Sequence, residues 1–504
     1  MEKDMDTVVG HLINGKMERD EGGRLGDVYN PATGEISKRV AMASKATVQR
    51  AIDAAQAALP AWKKTSPARR AQVMFRLKNL LEKHSETICT MITEEHGKVH
   101  NDALGELTRA IENVEFACGA PHLLKGEYSK NVGTAVDSWS EFQPLGVVAG
   151  ITPFNFPAMV PFWMWPLAVV CGNTFVLKPS EKTPSASVFM AQLALQAGLP
   201  EGVLNLVMGD KEAVDTLLLS PAIEAVSFVG STAIAEYIYT TATAGGKRVQ
   251  ALGGAKNHAI VMPDADLDNA VSAIMGAAYG SCGERCMALP IVVAVGAATA
   301  DGLIERLKTA LGTMKVGPGV DNSNDMGPLV TREHFEKVVG YVNTGVEEGA
   351  SLVVDGRNLV VQGYEGGYFL GGCLFDHVTP EMKIYREEIF GPVLGVVRVE
   401  NQQQAMDLID AHEYGNGTCI FTRDGESARF FTDNIKVGMV GVNVPLPVPV
   451  AYHCFGGWKR SIFGDLAMYG PDGVRFWTRR KTITQRWPSS TVREGAVFSF
   501  PSNS

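Results

Sequence analysis

From residue 145 to residue 254, short β-branched runs alternate with helical patterns, and this rhythm restricts the fold more than any other feature of the chain. Leu145-Gly146-Val147-Val148-Ala149-Gly150-Ile151 reads as a strand, 158–171 as a helix and Asn173-Thr174-Phe175-Val176-Leu177 as a second strand. A helix is expected from Thr183-Pro184, with the proline at its first position, to Gly198. Gly202-Val203-Leu204-Asn205-Leu206-Val207 and the runs near 225–229 and 247–251 read as further strands. Repeated βαβ units cover both faces of a parallel, doubly wound sheet and leave its ligand crevice at the carboxyl ends of the strands.

A second alternating block runs from about 257 to 445, with strands such as 291–295 and 393–397 and helices near 302–314 and 332–348. The first hundred and twenty residues read as mostly helical. Residues 127–142 and the tail around Arg479-Arg480-Lys481-Thr482-Ile483-Thr484 read as extended pieces outside both cores, the kind of strand that commonly pairs with another subunit. A chain of 504 residues exceeds one ordinary core. The expectation is α/β, with two doubly wound domains and a small extended oligomerisation element.

Composition narrows the class of function. A formal charge of −9 argues against nucleic acid as the main partner, because phosphate binding needs a basic surface. Eight cysteines, of which only Cys282 and Cys286 lie close together, form no disulfide framework and fit a reducing compartment. Met1-Glu2-Lys3-Asp4-Met5-Asp6 has no apolar stretch behind it, so the expected location is cytoplasmic. Phe142 to Leu177 carries no charge, which imitates a membrane span, but Pro144, Pro153, Pro157, Pro161 and Pro166 break it up, and no membrane association is expected.

The chemistry is concentrated in Gly280-Ser281-Cys282-Gly283-Glu284-Arg285-Cys286-Met287-Ala288. An intracellular cysteine is most often a small buried hydrophobe. The glycines and Arg285 instead suggest a tight cationic loop, the setting in which a thiol with an ordinary pKa near 8.5 gains thiolate character. Cys282 is the competitor, and with no acidic or histidine ligands at zinc spacing the pair makes a poor metal site.

Other candidates lie where strands end. Asn155, in Thr152-Pro153-Phe154-Asn155-Phe156-Pro157, can donate its amide to a developing oxyanion. Lys178-Pro179-Ser180-Glu181-Lys182 has the chemistry to hold ribose hydroxyls, and Gly230-Ser231 opens a helix whose N–H groups suit a phosphate. Glu387-Glu388-Ile389-Phe390-Gly391-Pro392 offers Glu388 to a second ribose and Phe390 as a backing for a planar ring. Each motif alone is weak, since no G-x-G-x-x-G follows a strand here.

Taken together, these five motifs occur in the order and at the separations of the NAD(P)-dependent aldehyde dehydrogenase superfamily, which the chain resembles over essentially its whole length. The resemblance implies an aldehyde dehydrogenase-like fold with an NAD-binding domain at 1–126 and 147–254, a catalytic domain at 255–448, and oligomerisation segments at 127–146 and 449–504. It implies Cys286 as the nucleophile, with Asn155 and the Cys286 backbone N–H as the oxyanion hole. Lys178, Glu181, Lys182, Gly230, Ser231, Gly253, Glu388 and Phe390 are implied to hold the dinucleotide, with Thr152 and Phe154 at its nicotinamide end. Glu181 at the adenosine ribose favours NAD over NADP, because a carboxylate repels a 2′-phosphate.

One departure is specific. Most hydrolytic members carry a water-activating Glu where this chain has Ala251, in Ala251-Leu252-Gly253-Gly254. Methylmalonate-semialdehyde dehydrogenases lack it and pass the acyl group to coenzyme A. The chain also looks like that subfamily at 154–163, 254–258 and 283–288. The subfamily pattern implies that Arg109 and Arg285 bind the substrate carboxylate, a task that suits bidentate guanidinium groups. The function expected is NAD-dependent, CoA-acylating oxidation and decarboxylation of malonate or methylmalonate semialdehyde by a homotetramer, a dimer of dimers. The alternatives are an ordinary aldehyde dehydrogenase that hydrolyses its thioester to a free acid, a cysteine acyltransferase or hydrolase without a redox step, and a non-catalytic scaffold in which Cys286 is unreactive.

Overall fold

The computed structural model describes residues 8–20 and 23–487. The N-terminal hexapeptide and the part of segment 449–504 beyond Trp487 lie outside the described residues.

Five parallel strands form the centre of the first sheet, in the order Arg248–Leu252, Ile223–Val229, Val147–Ile151, Thr174–Lys178, Leu204–Leu206. These strands are almost wholly buried and rich in Val, Ile and Leu, because helices cover both faces. The helices Lys45–Lys64, Lys211–Leu219 and Thr232–Ala244 pack one face. Pro67–Lys83, His100–Cys118, Met159–Val170 and Ser185–Gln196 pack the other. The uncharged stretch thus resolves into a strand, a buried helix and a strand. Among the described residues no helix is long and apolar enough to cross a membrane.

The second sheet has seven strands, in the order Ser351–Val354, Cys373–Asp376, Val393–Val399, Ile291–Val295, His258–Val261, Gly417–Phe421, Met439–Val442, all parallel except the first. Thr478–Arg486 pairs antiparallel with Val136–Pro144, which pairs with Glu127–Gly133 in a separate three-stranded sheet.

Several expectations need adjustment. Residues 8–41 are not helical. They hold five short strands, and His11–Ile13 and Lys16–Glu18 extend the first sheet as a hairpin turned by Asn14 (φ 49°) and Gly15 (φ 76°). Asn-Gly is the strongest short-range hairpin signal. Residues 449–477 do not join the extended element. Ile462–Phe463 adds an edge strand beside Arg248–Leu252, and Trp477 is buried in the first core. Pro184 caps its helix rather than opening it, and the helix expected at 302–314 spans Ala297–Leu311.

Candidate active site

The strand order of the first sheet reverses between Val147–Ile151 and Ile223–Val229. A doubly wound sheet opens its crevice at such a reversal, outside the carboxyl ends of the strands. Thr152 to Phe156 leave one of these strands and Gly230 and Ser231 leave the other, so topology brings two distant motifs to one crevice. Ser231 makes no side-chain capping bond to the helix Thr232–Ala244, and the first N–H groups of that helix remain available at the crevice.

Cys286 stands on a loop held from several sides. The helix Leu267–Tyr279 ends in a turn whose residues Ser281 (φ 52°), Cys282 (φ 55°) and Gly283 (φ 71°) are all left-handed. A Cβ at Gly283 would lie 2.3 Å from the Gly391 carbonyl oxygen, so only glycine fits there. Asp102 Oδ2 accepts the Ser281 N–H at 2.9 Å, the Asn155 amide donates to the Glu284 carbonyl at 3.0 Å, and Asn257 and Asn416 both donate to the Cys286 carbonyl, at 2.9 and 3.0 Å. Left-handed non-glycine residues cost about 1–3 kcal/mol each and persist where surrounding contacts over-determine them. Cys282 is buried in the apolar core of the second sheet, whereas Cys286 lines a small cavity of about 20 Å³ and two larger ones.

One cavity, of about 230 Å³, holds Phe154, Asn155, Gly230, Ser231, Gly253, Glu388 and Phe390 around Cys286. The other, of about 260 Å³, places Arg109 and Arg285 with Cys286 among Phe156, Met159, Trp163 and Phe455. Cys286 and Phe156 line both. Burial pushes the Cys286 thiol up to about 12, and the Glu388 carboxylate adds to that, against a smaller pull from the Cys286 and Met287 backbone N–H groups and from Arg285. The cation expected to activate the thiol is therefore outweighed. Burial also raises Glu388 to about 7, partly offset by the Ala255 N–H, which donates to its Oε1 at 3.0 Å.

Both arginines are already engaged. Arg285 donates to Asp102 at 2.6 Å and to the Gly276 carbonyl at 3.1 Å. Arg109 donates to Glu112 at 2.7 Å and to the Val448 and Pro449 carbonyls. A guanidinium has five N–H donors, so neither is saturated. Ala251 has no exposed surface and packs with Phe228 and Phe463 in the apolar core, outside the lining of either Cys286 cavity.

The remaining dinucleotide candidates lie along the same crevice rim. Lys178 Nζ donates to Glu181 at 2.9 Å, and the Lys178 carbonyl accepts the Thr152 N–H at 3.1 Å. Lys182 Nζ lies 5.3 Å from the centre of the Phe154 ring, which also meets Phe390 edge-on at 6.1 Å. Phe390 is itself left-handed (φ 60°), an outlier that aims its ring into the cavity.

The sequence reading missed a buried polar layer behind the loop. Lys98 Nζ donates to Glu106 Oε2 at 2.7 Å and to the Asn155 carbonyl at 2.6 Å, and Glu106 Oε1 accepts the N–H groups of Ala158 and Met159 at the start of the buried helix. Glu284 is wholly buried, with His96 Nε2 and His334 Nε2 each 3.6 Å from its carboxyl oxygens. Burial drives Glu284 well above, and His96 well below, its ordinary value. One signal could have found part of this layer: Asp102, Glu106 and Arg109 fall at i, i+4 and i+7 on one helix face.

Fold and sequence agree on the class. The model of the aldehyde dehydrogenase family matches residues 17–483, and the chain belongs to that family. The malonate-semialdehyde dehydrogenase of Pseudomonas aeruginosa is 66% identical over 492 residues, covering 98% of this chain and 99% of its own. The crystal structure of methylmalonate-semialdehyde dehydrogenase from Oceanimonas doudoroffii matches with a TM-score of 0.95 at 66% identity, over 97% of this chain and 100% of its own. A structure from Sinorhizobium meliloti 1021, complexed with NAD, matches with a TM-score of 0.95 at 53% identity, over 96% and 98% of the two chains.

Proposed function

We propose that this chain oxidises malonate or methylmalonate semialdehyde with NAD, through a thioester on Cys286, and passes the decarboxylated acyl group to coenzyme A. The observation that carries the reading is that Cys286 lies between two cavities, one lined by Gly230, Ser231 and Glu388 and the other by two arginines. The relatives named for these substrates support it over nearly the whole chain.

The crevice fits a dinucleotide. The uncapped helix start at Ser231 suits the pyrophosphate, and Glu388, Lys178 and Glu181 suit ribose hydroxyls. Gly254 leaves room for Glu388, whose Oε2 would lie 2.7 Å from a Cβ at that position. NAD bound there supplies the hydride acceptor.

The chain's own groups do the rest. Arg109 and Arg285 hold the substrate carboxylate and present the aldehyde carbon to Cys286. The thiol gives up its proton to solvent and the sulfur adds to the carbonyl, while the free N–H of Asn155 and the Cys286 backbone N–H stabilise the alkoxide. Departure of the hydride leaves an acyl thioester with a carboxylate on its α-carbon. Its C–C bond breaks, carbon dioxide leaves, and the thioester carbonyl accepts the electron pair as an enolate that then takes a proton. Coenzyme A thiolate attacks the thioester, releasing acetyl-CoA or propionyl-CoA and the Cys286 thiolate.

Contrary to the sequence expectation, Ala251 faces the apolar core and neither Cys286 cavity, so the residue at that position does not bear on water activation at Cys286. The sheet of residues 127–144 and 478–486 is the proposed oligomerisation element of a dimer of dimers, and the eight unpaired cysteines agree with a reducing cytoplasm. Turnover with NAD, with and without coenzyme A, tests the reading. Dependence on coenzyme A with acetyl-CoA and carbon dioxide as products supports it, and sustained turnover to a free acid without coenzyme A overturns it.

A further inference from the structure

We propose that Asp102 is a positioning residue that assigns Arg285 to the substrate cavity and so sets the preference for carboxylated aldehydes. The inference rests on the reading of Arg285 as part of the carboxylate clamp.

Asp102 lies in the first turn of the helix His100–Cys118, two turns before Arg109 and on the same face. Its two oxygens have separate duties: Oδ1 accepts Arg285 Nη2 at 2.6 Å and Oδ2 accepts the Ser281 N–H at 2.9 Å. One carboxylate therefore ties the guanidinium to the start of the left-handed turn that leads to Cys286. With Arg285 Nη1 on the Gly276 carbonyl at 3.1 Å, the plane of the guanidinium is fixed from two directions. Three of its five N–H donors remain for a ligand. A pre-oriented arginine loses little freedom when it meets a carboxylate, which favours binding.

Arg285 also stands at a partition. It and Asp102 line both the Cys286 cavity and a larger cavity of about 690 Å³ beyond it. The larger cavity offers two other carboxylates, Asp325 and Asp268, the latter already paired with Arg306 at 2.7 Å. Freed from Asp102, the guanidinium can turn toward those acids and away from the reacting carbon. Asp102 thus decides which cavity Arg285 serves, without itself touching the reacting atoms.

The test compares kcat/KM for malonate semialdehyde with kcat/KM for propanal in Asp102→Ala, Asp102→Asn, Arg285→Ala and the double variant Asp102→Ala/Arg285→Ala. Asp102→Ala is expected to lower the ratio at least about tenfold, mainly through KM for the carboxylated aldehyde. Asp102→Asn, which keeps the shape and loses the charge, is expected to fall between Asp102→Ala and the native enzyme. The double variant should match Arg285→Ala in this ratio, because losing the Ser281 contact weighs on both aldehydes alike and the discrimination acts only through Arg285. An unchanged ratio in Asp102→Ala beside a lowered one in Arg285→Ala overturns the inference alone. So do additive losses, or an equal loss for both aldehydes, which would confine Asp102 to holding Ser281. An unchanged ratio in Arg285→Ala overturns the carboxylate clamp and the inference with it.

Discussion

Asn155 and Glu284 are joined by a hydrogen bond of 3.0 Å from the Asn155 side-chain amide to the Glu284 carbonyl, two residues ahead of Cys286. That bond fixes the amide plane and leaves its second N–H for the cavity that Asn155 shares with Cys286. Asn155→Ala should lower kcat by about 10²–10³, the usual loss for one oxyanion donor. Steady-state NADH formation measures it, and a loss confined to KM would assign Asn155 to ground-state binding instead.

The Cys286 thiol, pushed up to about 12 by burial, is nearly all protonated at neutral pH in the NAD-free enzyme. Its thiolate fraction rises about tenfold per pH unit below that value. Alkylation by iodoacetamide, followed by mass spectrometry, should climb from pH 7 to 9 without a plateau. Glu388, raised to about 7, is ionised above that pH and opposes the thiolate, so Glu388→Gln should speed alkylation at pH 8–9 and change little at pH 6. A plateau near pH 7 in the native enzyme would contradict this electrostatic picture.

Glu284 is an acid whose folded value is raised well above the unfolded one, near 4.5. Below pH 4.5 it is protonated in both states. As pH rises from there, the unfolded chain ionises while the folded one does not, and stability falls by at most about 1.4 kcal/mol per pH unit until the folded group also ionises. Glu284→Gln removes that slope. The Tm of the variant relative to the native protein should therefore increase from pH 5 to pH 8, and a constant difference would contradict a neutral buried carboxyl.

Lys98 and Glu106 form a fully buried ion pair. Lys98→Met leaves Glu106 without its cation and should cost about 3–5 kcal/mol in urea unfolding, because an uncompensated buried charge remains. The Asn155 carbonyl loses its donor as well, so kcat should fall with stability. A stability loss below about 1 kcal/mol would mean that other groups satisfy Glu106.

Much of this site was legible as motifs at strand ends. Alternating β-branched runs mark the five parallel strands, and the reversal of their order explains why 152–156 and 230–231 meet. The motif around Cys286 marked the loop. What holds the loop was not legible, because Asp102, Asn257 and Asn416 reach it from distant segments through single side-chain bonds. The thiol's environment was misjudged for a related reason: Arg285 is adjacent in sequence, but it is turned onto Asp102, and burial dominates. The N-terminal hairpin was missed because its strands are two or three residues long, too short for periodicity to show, although Asn14-Gly15 marks the turn.

The most direct test of the central claim is the mass of the enzyme after reaction with NAD and malonate semialdehyde in the absence of coenzyme A. The account predicts one NADH per active site and an acetyl group, not a malonyl group, on Cys286, discharged by coenzyme A as acetyl-CoA and only slowly by water. Continued NADH formation with a free acid as product and no acyl group on Cys286 would contradict it.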